Sequence, residues 1–179
     1  MSSKPTILLD VDGVVNIVNS REEAARLWDG KIITQYIEHT EDRRGNSGYT
    51  VNIATDVINT LNFLNELGGI EVKWLTTWVH NTKELCTLGV PDFYFLERPV
   101  HESDNWWKWD VVKNLVSTLD EDTPILWIDD EHGYDPNVVR WLLTDPAAES
   151  IEVISPDTFE GLTPEHLLRI RKWATSQIP

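Results

Sequence analysis

The chain has a single cysteine, Cys86, in 179 residues. One thiol excludes an internal disulfide and leaves no cysteine cluster to hold a metal. Long apolar runs are also missing, since no stretch approaches the roughly 20 residues that a membrane-spanning helix needs. The opening Met1-Ser2-Ser3-Lys4-Pro5 lacks the apolar region of a signal peptide. These absences lead to the expectation of a cytoplasmic protein with no membrane partner. Basic residues are scarce: 15 Lys and Arg stand against 30 Asp and Glu, for a net charge of -15 and a pI near 4.6. That balance disfavours extended binding to nucleic acid. It still permits local recognition of a phosphate through a bound cation. No repeat, low-complexity tract or interdomain linker interrupts the sequence, and its length suits one domain over 1–179.

What the chain does have begins at Thr6-Ile7-Leu8-Leu9-Asp10-Val11-Asp12-Gly13-Val14-Val15-Asn16. A short apolar run ends in two carboxylates two residues apart, followed by a glycine. In an extended strand, positions i and i+2 share a face, so Asp10 and Asp12 are expected side by side at a strand's end. Such a pair suits a divalent cation, or a nucleophile with an acid beside it. The plain alternative is a strand end with Asp opening a turn. Nine tryptophans are an unusually large number. They are expected to be mainly packing residues, because each brings a large apolar surface.

Further on, strand and helix patterns alternate, which predicts an α/β fold: a mostly parallel central sheet flanked by helices. After the first strand, near 6–10, two alternating stretches, Lys31–Glu38 and Tyr49–Ala54, flank a polar turn. They predict a β-hairpin, a small cap or flap inserted at about 14–54 and preceded by a short helix around Arg21–Trp28. A helix follows from about Asp56 to Leu67, with Thr55 as its cap and Gly68-Gly69 as its stop. Val72–Thr76 reads as a strand. Asn81 and Glu84 resemble a capping box, and Asp104 or Asn105 is expected to open another helix. Pro124–Ile128 and Ile151–Ile154 read as strands, and Thr163-Pro164-Glu165 starts a last helix burying Leu167, Ile170 and Trp173.

Three of these strands end in residues with chemical potential: Asp10 and Asp12, then Thr76 and Thr77, then Asp129 and Asp130. In open parallel sheets, ligands bind beyond the carboxyl ends of the strands. A rim of carboxylates also needs a positive charge if it is to take a phosphate. Lys108 and Lys113 lie on the helix before the third strand. Lys108 is four residues before Val112 and seven before Leu115, so it shares the core-directed stripe, whereas Lys113 falls on the opposite side. Lys108 is the better candidate.

DVDGV at 10–14, Thr76 ending a strand, Lys108 on a helix and the Asp129-Asp130 pair occur in the order found in the haloacid dehalogenase superfamily, mostly phosphatases, which the chain resembles along essentially its whole length. The words Trp74–Trp78, Leu88–Pro91 and Trp127–Glu131 look most like the phosphatase domains of Swiss-Army-Knife RNA-repair proteins. The resemblance implies a Rossmann-like fold and a Mg2+-dependent phosphatase. In it Asp10 would be the nucleophile that forms an aspartyl-phosphate, and Asp12 the acid and then base. Asp10, the backbone carbonyl of Asp12, and Asp130 would hold Mg2+, with Asp129 orienting Lys108 or a metal-bound water. Thr76 and Lys108 would hold the phosphoryl oxygens, Thr77 being the rival hydroxyl. An aspartate at position 12 fits ester hydrolysis, because family members that dehalogenate lack it.

Other readings differ in class. A response-regulator receiver uses similar residues, but with its acidic pair first and its acceptor aspartate later. A catalytically idle binding module has no need to keep all of Asp10, Asp12, Thr76, Lys108 and Asp130. A phosphotransferase acting on a small metabolite shares the first half of the chemistry. The expected partner is a phosphorylated small molecule or a nucleic-acid end. Trp78 is placed to stack on a base, with core packing as its alternative. Arg43 and Arg44 at the hairpin tip are placed to touch a backbone phosphate, with an ordinary solvated turn as theirs.

Overall fold

The computed structural model describes residues 3–38, 48–99 and 105–178. Arg43 and Arg44 fall outside these. Four short segments, β1 (Thr6–Leu9), β4 (Glu71–Trp74), β6 (Ile125–Ile128) and β7 (Ile151–Ile154), form a parallel sheet with a two-residue edge strand β5 (Tyr94–Phe95), in the order β5-β4-β1-β6-β7. β1 is wholly buried at the centre, which suits its unbroken apolar run. β2 (Ile32–Glu38) and β3 (Gly48–Ala54) pair antiparallel as a separate hairpin, as expected. Its Ile37, Val51 and Ile53 join the main core, so the flap is packed onto the body.

Side chains of β1 alternate between two cores. Ile7 and Leu9 point to the side covered by α2 (Thr55–Leu67) and α5 (Pro164–Ser176), while Leu8 points to the side covered by α3 (Trp107–Thr118) and α4 (Pro136–Thr144). β6 follows suit: Leu126 and Ile128 go one way, Ile125 and Trp127 the other. Leu9 is level with Trp74 on one neighbour and Ile128 on the other. The next residues, Asp10 and Asp129, are therefore level too, and alternation aims both toward the α3 side.

The short helix before the hairpin is α1 (Arg21–Leu27). Six tryptophans are buried (Trp28, Trp74, Trp78, Trp127, Trp141 and Trp173), and the other three are half-buried. The C-terminal helix is capped as expected, with the Thr163 hydroxyl accepting from the His166 N–H and Pro164 in the first turn.

Several helix starts differ from expectation. Thr55 is already helical, Ala54 precedes it without a side-chain cap, and the Thr55 hydroxyl donates to the Lys31 carbonyl instead. The segment with Asn81 and Glu84 is a 3-10 helix, Val79–Leu88, that starts two residues earlier, with Trp78 at its head. α3 begins at Trp107 with Trp106 at its N-cap, and Asn105 stands one residue before that, its amide donating to the Asp110 carboxylate. Asp104 lies outside the described residues. Besides two three-residue 3-10 turns, His132–Tyr134 and Pro146–Ala148, the elements without a counterpart in the sequence reading are β5, too short to show a period, and α4, whose start is marked by Asp135 capping Asn137 and by Pro136.

The loops beyond the strand ends are stitched together. The Leu162 N–H donates to the Val14 carbonyl, and the Val18 N–H to that of Thr158. Gly161 allows this approach: its φ is +65°, and a Cβ there would sit 2.9 Å from the Val14 carbonyl oxygen. Gly161→Ala should therefore destabilise the fold by more than about 1 kcal/mol, lowering the melting temperature by roughly 2–4 °C per kcal/mol for a domain of this size. An unchanged thermal melt would mean that the two loops are not held this closely.

Candidate active site

Asp10 follows β1 and Asp129 follows β6, each as the first residue past its strand. Their backbones still belong to the sheet: Asp10 N–H bonds to the Ile128 carbonyl and Asp129 N–H to that of Ile154. Both side chains are buried. Between them lies the ammonium of Lys108, 2.5 Å from Asp10 Oδ2 and 2.8 Å from Asp129 Oδ2, with Glu131 at 3.8 Å. Lys108 is 2% exposed and comes from the second residue of α3, the face predicted from its spacing to Val112. Lys113 lies elsewhere, paired with Asp110 at 2.9 Å and laid over the Trp109 ring.

The other oxygens of the two carboxylates take backbone donors. Val11 N–H bonds to Asp10 Oδ1 at 2.7 Å, and Glu131 N–H to Asp129 Oδ1 at 3.0 Å. Thr76 is buried two residues beyond β4, and its hydroxyl donates to Asp10 and accepts from Trp78 N–H. Thr77 is exposed. The chain turns one side chain in and the next out, which separates the two hydroxyls that the sequence left as rivals.

Burial raises the Asp10 carboxyl above its ordinary range, against the pull of Lys108, Thr76 and Val11 N–H. Burial, then the Asp10 charge, pushes Asp129 up to about 7, opposed by Lys108 and the Glu131 N–H. Lys108 is held above its usual value: burial works against its charge, and the two aspartates outweigh it. Two carboxylates thus share one ammonium, with a third close by. One oxygen each of Asp10, Asp129 and Asp130 lie within 4.8 Å of one another. Hard oxygen donors in excess of positive charge fit a small divalent cation such as Mg2+. Asp130 is half-buried, and its Oδ2 accepts from the Thr158 hydroxyl at 2.5 Å. Gly13, at φ +68°, lets the β1 loop pass here, since a Cβ would run into the Asp130 carboxylate.

Asp12 is not placed by strand alternation, since β1 stops at Leu9. The turn after it does the work. Asp12 Oδ1 accepts from Asn16 Nδ2 at 2.7 Å, and Oδ2 accepts from Trp78 Nε1 at 2.8 Å. Trp78 is buried, with Tyr49 of β3 against its ring at 5.6 Å. It meets the site through its N–H edge, and its ring face is covered by Tyr49.

Sequence reasoning gave no role to Asn16, Thr158 or His132. Asn16 was in view four residues after Asp12, but loop spacing carries no period to interpret. Thr158 comes from a fourth loop, after β7, where neither Asp157 nor Glu160 directly follows the apolar run as Asp10 and Asp129 do. His132 is 3% exposed, with its ring edge-on to Trp127 at 4.3 Å. Neither ring nitrogen makes a hydrogen bond of good geometry. Burial pushes the imidazole down to about 4, although the nearby Asp129 carbonyl favours its proton.

No family model matches the sequence, and a search of curated proteins gave no match. Solved structures do resemble the fold. The HAD domain of the effector protein Lem4 from Legionella pneumophila superposes with a TM-score of 0.56 at 14% identity, covering 99% of each chain. An inactive mutant of that domain gives 0.54 at 14% identity, covering 97% of each. The chain therefore has an α/β fold of the kind seen in HAD domains, with its acidic cluster at the carboxyl ends of the central strands.

Proposed function

We propose that this chain is a Mg2+-dependent phosphomonoester hydrolase working through an aspartyl-phosphate. The observation that carries the reading is the buried Lys108 ammonium shared by Asp10 and Asp129, with the Asp12 carboxyl held on the neighbouring loop. An Asp10 oxygen attacks phosphorus, and the bond from phosphorus to the leaving oxygen breaks as Asp12 gives that oxygen its proton. Asp12 then takes a proton from water, the water oxygen attacks phosphorus, and the bond to Asp10 breaks to release phosphate. Lys108 and the Thr76 hydroxyl, both already on Asp10, are the donors nearest the transferring group. Asp10, Asp130 and the Asp12 carbonyl are the proposed holders of the cation, with Asp129 fixing Lys108. When bound, Mg2+ supplies Lewis-acid stabilisation of the phosphoryl charge.

For the substrate we favour a nucleotide or a short phosphorylated nucleic-acid end. The likeness of Trp74–Trp78 and Trp127–Glu131 to RNA-repair phosphatases supports it, and the charge of -15 argues against longer contact with a polyanion. Thr77, exposed next to Thr76, and Arg43 and Arg44, which lie between β2 and β3 in the sequence, are the proposed substrate contacts.

A phosphatase screen with Mg2+ tests the reading. Nucleotides and short 3'- or 5'-phosphorylated oligonucleotides should be hydrolysed in preference to sugar phosphates and phosphopeptides, with little dependence on length. Asp10→Asn should abolish turnover of every substrate while the thermal melt remains cooperative. Near-normal activity in that variant would falsify the covalent role.

The two lysines should behave differently. Lys108→Met should cut turnover by at least about 100-fold, the usual loss when one such donor is removed. It should also destabilise the fold by about 3–5 kcal/mol, because two buried carboxylates lose their partner. Lys113→Met should be within about 1 kcal/mol of wild type, as expected for a partly exposed pair. Equal effects would remove Lys108 from the site.

Metal binding can be followed without turnover. Mg2+ should raise the melting temperature of the wild-type chain in a concentration-dependent way. Asp130→Ala should weaken that response more than Asp129→Ala does. The reverse order would exchange the roles of the two aspartates.

A further inference from the structure

The phosphatase reading needs an Asp12 carboxyl that faces the leaving oxygen, yet no regular element holds it. Both of its oxygens are instead engaged by side chains. Asn16 donates to Oδ1 and the Trp78 indole donates to Oδ2. Each donor is buried, Asn16 at 5% exposure and Trp78 at 6%.

Both donors lead to the hairpin. Asn16 Oδ1 accepts the backbone N–H of Asn52 on β3 at 2.9 Å. That N–H can only donate, so the Asn16 amide has one consistent orientation, its oxygen toward Asn52 and its nitrogen toward Asp12. Asn52 is fixed in turn: its amide donates to the Asn19 carbonyl, it accepts from the Thr34 hydroxyl on β2, and its carbonyl accepts from Ile17 N–H. Trp78 is packed by Tyr49, three residues before Asn52 on the same strand. Its backbone N–H also rests on Thr76, the residue that donates to Asp10. Immediately after Trp78 the chain takes an unfavourable turn, with the β-branched Val79 at φ +44°. Strain of about 1–3 kcal/mol persists only where the surroundings over-determine a conformation.

We propose that Asn16 and Trp78 are positioning residues for Asp12, and that the β2–β3 hairpin acts through them to hold the acid-base carboxyl toward the leaving group. This rests on the phosphatase reading, in which Asp12 is the acid. Each carboxylate oxygen keeps a second lone pair, so Asp12 can carry its proton while both donors stay in place. Tryptophan is needed at 78 for its N–H, and packing alone does not account for its contact with Asp12.

The test uses leaving groups of different basicity. An alkyl phosphate needs its leaving oxygen protonated, whereas p-nitrophenyl phosphate releases a stable anion with little help. kcat/KM is measured for p-nitrophenyl phosphate and for the best alkyl phosphate from the screen. Trp78→Phe keeps an aromatic ring under Tyr49 and removes the N–H. It should lower kcat/KM for the alkyl ester by about tenfold or more, part of the 10²–10⁴-fold a general acid supplies, and for the aryl ester by less than about threefold. Asn16→Ser, which tests the other arm should Trp78→Phe fold poorly, should give the same split. Asp12→Asn, run in parallel, should give a larger one. Equal losses on both esters, or no loss on the alkyl ester, in folded Trp78→Phe and Asn16→Ser would overturn the positioning role while a split in Asp12→Asn left the acid in place. No split in Asp12→Asn would overturn the acid and the positioning role together.

Discussion

A lysine ammonium buried between two carboxylates sets the terms for the rest of this molecule. Lys108 reaches Asp10 and Asp129 across the carboxyl ends of two adjacent strands. Removing three charges from water is costly, and only close, complementary geometry compensates. The fold supplies that geometry in a simple way. β1 and β6 are in register at Leu9 and Ile128, so the next residue on each strand is an aspartate at the same height and on the same face. α3 covers that face, and its core-directed stripe places a lysine at its start. The apolar parts of the same stripe, Val111 and Val112, pack beside Leu8 and Trp127. Hydrophobic burial thus brings the ion group together, and once buried the group has to stay complete, because a carboxylate left without its partner is costly.

Around this group the loops divide the work. The β4 loop sends Thr76 inward to Asp10 and Trp78 to Asp12. The β6 loop provides Asp130, anchored by Thr158 from the β7 loop. The β1 loop turns at Gly13 to pass the Asp130 carboxylate. The hairpin then closes over the β1 loop through Asn52 and over the β4 loop through Tyr49. A small insertion can do this because its apolar face, Ile37, Val51 and Ile53, is continuous with the main core.

What could be read from the sequence followed periodicity. Lys108 was separable from Lys113 because a helix has two faces, and the strand ends were legible because apolar runs stop abruptly at Asp10 and Asp129. Helix starts were less legible. Thr55, Asn81 and Asn105 have the chemistry of caps, but a tertiary partner takes the Thr55 hydroxyl, the cap before α3 is Trp106, and the helix near Asn81 has a tryptophan as its cap. Alternation also failed for Asp12, since the strand ends before it reaches that residue. Asn16, Thr158 and the N–H of Trp78 were invisible for a shared reason: each meets its partner through a loop, where neither 3.6 nor 2 residues is a repeat. Thr76 and Thr77 were identical as residue types, and only burial distinguishes them.

The excess of negative charge bears on how the proposed chemistry is ordered. Asp10 and Asp129 converge on one ammonium with an Asp130 oxygen close to theirs, and burial already raises the first two carboxyls. A phosphate dianion approaching this group alone meets net repulsion in a poorly solvated place, where charges interact strongly. A divalent cation held there would reverse that balance and favour the ionised form of Asp10. On the proposed reading, cation binding therefore precedes productive phosphate binding, and the two should be coupled in free energy, each tightening the other. The acidic exterior adds to the same selection from a distance. It repels long polyanions at low ionic strength but falls away within a Debye length, about 8 Å in physiological salt. A single terminal phosphate has to cross only that layer. On that reading, a chain of net charge -15 would accept one phosphate at a cation-dependent point while its surface discourages a longer polyanion.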